Sequence, residues 1–161
     1  MNYKIYAILM DIIEYTYPES KYPENKFKKF FLEVNAKERK TFHGKYFVKE
    51  KKIKIFNLSR PTGHIITTCI HEVAHHIDYC IRKDSDHSIE CYVVMQKLLI
   101  SALGMGIITV QDILTASDSA DRDRLIKYFG NIKAWKIPNI EYKKDVCTIK
   151  VKNCFDIKST L

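Results

Sequence analysis

An α+β domain is what the sequence predicts, with helices packed on a small β-hairpin, and three observations lead there. Apolar residues recur at three- and four-residue spacing over residues 62–82 and again over 88–103, the rhythm of helices that bury one face. Between residues 42 and 58 the pattern changes to two short β-rich runs, 42–48 and 53–58, parted by a polar stretch at 49–52. The 161 residues suffice for one domain with a substantial core and are too few for two comfortable ones.

Each element has its own signal. Residues 3–16 read as a first helix, with Tyr3, Ala7, Met10 and Ile13 in helical rhythm and Pro18 ending it. Residues 18–25 hold Pro18 and Pro23 and form a loop, while 26–34 suits either a short amphipathic helix or a strand. After the hairpin, Pro61-Thr62-Gly63 turns the chain into a helix from 62 or 63 to about Arg82, with Ile66, Ile70, Val73, Ile77 and Ile81 as its buried stripe. A polar break at 83–86 precedes the second long helix, 88–103, closed by Gly104 and Gly106. Thr109 and the serines at 117 and 119 are N-cap candidates for helices over 110–116 and 120–129, the second stopped by Gly130. Residues 131–145 are irregular, and 146–152 alternate like a strand. The expected division is a domain over 1–130 and a C-terminal extension over 131–161 that reads as a clipped module.

Composition excludes several classes. No apolar run approaches the ~20 residues of a membrane helix. The short N-terminal apolar stretch follows a single lysine and runs into Asp11 and Glu14, unlike a secretory leader, so a cytoplasmic protein with no membrane partner is expected. The five cysteines show no C-x-x-C pair, and Cys69 and Cys80 stand about 16 Å apart on one helix, beyond disulfide reach. Net charge is +8, concentrated in residues 21–60, where 13 Lys and Arg face four Glu and eight aromatic residues interleave with them. A basic segment of this kind attracts a phosphate backbone and exposed bases, so DNA is an expected partner; the same aromatics also suit a core with lysines solvating its outer side.

The chemistry is concentrated in His71, Glu72 and His75, an H-E-x-x-H sequence inside the first long helix. Residues four apart on a helix are stacked neighbours, so both imidazoles can share one ion, and Glu72 can reach a water beside it without displacing a ligand. Zn²⁺ held by neutral imidazoles, with an open position and a carboxylate base, is what hydrolysis of an amide requires. A catalytic zinc takes three protein ligands. The extended motif with Gly at 78 and His at 81 is absent, since Asp78 and Ile81 stand there. His87 can be carried back to the metal by the 83–87 segment, which puts the site between the two long helices. Glu90, on the same face of the next helix, is the alternative ligand, or it orients His87. Asp78 is a further alternative, or holds an imidazole by its free N–H. Tyr79 and Tyr92 are candidate oxyanion donors. His43, His64 and His76 lie outside the motif.

His71-Glu72-x-x-His75 followed by His87-Ser88-Ile89-Glu90-Cys91 resembles the SprT-like zinc metallopeptidases, whose pattern is H-E-x-x-H and a downstream H-G-x-x-F. The chain has Ser88 for the glycine and Cys91 for the phenylalanine, and lacks the four-cysteine ribbon of some members. The resemblance covers about residues 1–105. It implies a zincin-like fold, zinc on His71, His75 and His87, Glu72 as base, and protein substrates associated with DNA. The alternative expectation is a protein without catalysis, binding nucleic acid or acting as an anti-restriction regulator, in which zinc is structural.

Overall fold

The computed structural model describes residues 2–23, 26–116 and 119–142, so the strand expected at 146–152 lies outside the described residues. The first helix, α1 (Asn2–Thr16), buries Ile5, Ile8, Leu9, Ile12 and Ile13, and ends just ahead of Pro18 as expected. Three short strands follow: β1 (Phe31–Val34), β2 (Gly44–Phe47) and β3 (Lys52–Ile55). They form a mixed sheet in the order β1-β3-β2, with β2 antiparallel to β3 and β1 parallel to it. The expected hairpin is present, shorter at both ends. The ambiguous segment 26–34 is a strand over its last four residues, and it adds a third member to the sheet.

Strand alternation gives the sheet two unlike faces. Ile53 and Ile55 are fully buried, and Leu32, Val34 and Tyr46 pack on the core beside them. Phe31, Lys52 and Phe47 stand in register on the other face, followed by Glu33, Lys54 and Lys45. There Lys54 Nζ lies 3.3 Å from Glu33.

The long helix α2 (Thr62–Arg82) lies at the centre of the packing, touching both β2 and β3 and every other helix except α5 to a substantial extent. Its stripe of Ile66, Ile70, Val73 and Ile77 is buried, but Ile81 is 55% exposed, because the last turn runs past the core. Lys83 ends α2 in a left-handed conformation (φ 62°), its N–H donating to the Tyr79 carbonyl. The chain then turns into α3 (Ile89–Gly104), N-capped at Ser88, whose Val94, Met95, Leu98, Leu99 and Ala102 pack into the same core.

Two shorter helices close one side. Thr109 caps α4 (Val110–Thr115) reciprocally: its hydroxyl accepts from the Asp112 N–H, and the Asp112 carboxylate accepts the Thr109 N–H at 2.7 Å. The next helix, α5 (Ser119–Phe129), buries Asp121 and Leu125 and stops at Gly130, where φ is +75°. A 3-10 turn at Ile132–Ala134 buries Ile132. Beyond it the chain runs back along α3 and α1: the Ile140 N–H donates to the Gly104 carbonyl, and the Tyr142 hydroxyl to Asp11 at 2.6 Å. Residues 131–142 therefore pack on the core of the preceding helices. No helix among the described residues is long and apolar enough to cross a membrane.

Candidate metal centre

His71 and His75 are neighbours on successive turns of α2, with ring centroids 4.7 Å apart and their Nε2 atoms 3.0 Å apart. The left-handed end of α2 sends the next five residues back along the helix, and His87 returns to within 5.4 Å of the His71 ring and 4.8 Å of the His75 ring. One nitrogen from each of the three lies within 4.8 Å of the other two. Ligands at zinc–nitrogen distances on a tetrahedral ion stand roughly 3.3 Å apart, so a small closure of the rings suffices for one ion.

The connection that carries His87 is pinned at both ends. The Arg82 guanidinium donates to both Asp78 carboxylate oxygens (2.7 and 2.6 Å), to Asp86 and to the Ser88 hydroxyl (both 3.1 Å). Asp86 also accepts the Ser88 N–H, and the Ser85 hydroxyl sits 2.7 Å from His75 Nδ1.

The nitrogens turned away from the cluster have partners. His71 Nδ1 lies 2.7 Å from an Asp121 oxygen of α5, and His75 Nδ1 faces Ser85. Burial, reinforced by the neighbouring His71 and His87, pushes the His75 ring down to about 3, so it stays neutral and able to ligate. Burial pushes the Asp121 carboxyl up, but its bonds to His71 and Tyr92 outweigh that and leave it lowered.

Glu72, 6% exposed, lines the same cavity of about 580 Å³ as the three histidines. Phe42 and Gly44 border that cavity on the sheet side, and Ile113 and Leu125 on the side of α4 and α5. Gly44 makes room for the carboxylate: a Cβ there would stand 2.7 Å from Glu72 Oε1.

Four expected participants are placed elsewhere. Glu90 is exposed in the first turn of α3, where its own backbone N–H and Ser88 hold its carboxyl low; it is outside the imidazole cluster. Asp78 gives both oxygens to Arg82, and the carboxylate that meets an imidazole is Asp121 instead. Tyr92 is not an oxyanion donor, because its hydroxyl donates to Asp121 at 2.5 Å and the residue is 1% exposed. Tyr79 does not line the cavity either, since it sits four residues past His75 at the far end of α2.

Of the remaining histidines, His76 is fully buried, where its Nδ1 accepts from the Tyr46 hydroxyl and its Nε2–H donates to the Lys26 carbonyl, each at 3.0 Å. In the basic segment, Phe27, Phe30 and Phe56 belong to the core, whereas Phe31 is 71% exposed.

Asp121, Ser85 and Gly44 are the site residues that sequence reasoning missed. Asp121 lies 50 positions after His71 and no spacing rule joins them. Gly44 carried a signal, because a glycine inside a β-rich run marks close approach of another group. Set against family models, curated proteins and solved structures, the chain matches none of them.

Proposed function

We propose that the protein is a zinc-dependent peptide-bond hydrolase of the SprT-like, zincin kind. The observation that carries this is the convergence of His71, His75 and His87 beside Glu72 in one cavity. A structural zinc is closed by four protein ligands; the cluster among the described residues offers three, which suits a catalytic ion. Zinc held by those three nitrogens would supply Lewis acidity, polarising a carbonyl and acidifying a water.

The chain's own residues do the rest. Glu72 takes a proton from the attacking water and returns it to the departing amide nitrogen. Gly44 leaves the carboxylate room to do so. Because β2 is an edge strand bordering the cavity, its free backbone groups can hold an extended peptide with little side-chain preference.

The test is Glu72→Gln. The variant is expected to bind zinc like the wild type and to lose cleavage of an unfolded protein substrate by about 10²-fold or more. Cleavage at the wild-type rate with zinc in place would remove the base assignment.

A second reading concerns the partner. The outer sheet face carries exposed Phe31 in register with Lys52, with Lys54 and Lys45 alongside, a stacking surface among cations that suits single-stranded nucleic acid and would bring DNA-associated proteins to the cavity. Oligonucleotide affinity is expected to fall steeply with salt and to fall further in Phe31→Ala. Affinity indifferent to both changes would refute this reading.

A further inference from the structure

We propose that Arg124, Tyr92 and Asp121 form a one-way hydrogen-bond chain that fixes the tautomer of His71 and so sets the affinity of the centre for its metal ion. This rests on reading the three imidazoles as a metal site, and not on peptide hydrolysis.

The direction of the chain follows from which groups can donate. A guanidinium has no acceptor, so at the 3.2 Å contact between Arg124 Nη1 and Tyr92 Oη the tyrosine oxygen accepts. The single tyrosine hydrogen is then committed to Asp121 Oδ1, 2.5 Å away. An ionised carboxylate only accepts, and its other oxygen stands 2.7 Å from the buried His71 Nδ1, a distance at which two lone pairs would repel, so that nitrogen carries the ring proton. His71 Nε2 is thereby left unprotonated, an acceptor turned toward His75 and His87. Tyr92 and Asp121 are 1% and 9% exposed, so water competes little for the bond between them.

His75 is held differently. Its Nδ1 faces the Ser85 hydroxyl at 2.7 Å and the Cys91 thiol at 3.5 Å, and either group can donate or accept, so neither fixes the His75 tautomer as Asp121 fixes that of His71. The Nε2 atoms of the two rings are 3.0 Å apart, and with the His71 proton on Nδ1 the proton between them belongs to His75. Ligation through both Nε2 atoms would require that proton on His75 Nδ1, where the Ser85 hydroxyl could accept it. One ring is locked for the ion and the other adjusts. Asp121, Tyr92 and Arg124 act through His71 and are positioning residues.

The test uses the full chain labelled with ¹⁵N-histidine and stripped of metal, in which long-range ¹H–¹⁵N correlations distinguish the tautomers, together with zinc dissociation constants from chelator competition. Wild-type His71 is expected to carry its proton on Nδ1. In Asp121→Asn the Tyr92 hydroxyl keeps the amide oxygen, which turns the amide NH₂ toward His71 Nδ1 and drives the ring proton to Nε2; zinc binding then weakens about 10–100-fold. Adding Tyr92→Phe to Asp121→Asn removes the donor, lets the amide turn its oxygen to His71, and is expected to restore the Nδ1 proton and part of the affinity. A double variant that binds zinc more tightly than the single one is a result that loss of packing does not produce.

The proposal is overturned by a wild-type His71 protonated on Nε2, by wild-type zinc affinity in Asp121→Asn, or by a double variant no better than the single. The wild-type tautomer decides the matter even where a variant fails to fold. The expected tautomers and affinities without any peptide cleavage would leave this proposal standing and remove the hydrolase reading.

Discussion

Gly44 and Glu72 illustrate how tightly single positions are fitted around the cavity. An alanine Cβ at 44 would stand 2.7 Å from Glu72 Oε1, 2.8 Å from its Cγ and 2.9 Å from Thr68 Cγ2, so either the carboxylate or the strand has to move. Displacing a base by a fraction of an ångström spoils its alignment with the reacting water. Gly44→Ala is therefore expected to keep zinc and lose about 10-fold or more in cleavage rate, as read by zinc content and by a proteolysis assay side by side. At this scale the sequence was legible where chemistry demands fixed spacing: His71, Glu72 and His75 announce themselves, and His87 follows from the reach of the chain. Asp121 was illegible because its approach to His71 is set by how α5 packs on α3, and the position of Tyr92 near the motif does not reveal that its hydroxyl is turned to α5.

Among the elements, α4 is the most exposed to change. With six residues it is too short to be stable alone, and the reciprocal cap between Thr109 and Asp112 holds its first turn. Its Ile113 is buried and borders the cavity. Thr109→Ala is expected to lower stability by about 1 kcal/mol, seen as a lower urea midpoint with an unchanged slope. Helix ends were readable in the sequence because caps are local: Pro18, Ser88, Thr109 and Gly130 mark boundaries the structure keeps within a residue or two. Strand β1 was only half readable, since its pairing with β3 lies some 20 residues away and four residues carry too little periodicity to distinguish strand from helix.

The molecule as a whole is expected to be sensitive to acid. His76 is fully buried and its ring is pushed down by that burial; His75 is pushed down to about 3. Both rings take a proton near pH 6.5 when the chain is unfolded. Below that pH the unfolded chain binds more protons than the folded one, so stability is complete above it and falls as pH drops toward the folded values. The loss is up to about 1.4 kcal/mol per pH unit for each ring. Urea titrations of the chelator-treated chain between pH 7.5 and 5 measure this, and a midpoint that stays constant over that range would contradict it.

The short connection that delivers His87 has a further effect. Once an ion joins that ring to His75, residues 75–87 become a closed circuit, and closing a circuit strips freedom from the unfolded chain in the manner of a covalent staple. The thiols of Cys69, Cys80 and Cys91 make no such bond. Were the three imidazoles to hold an ion, endurance against heat would be tied to its supply, and starving the protein of it would slacken the joint between α2 and α3.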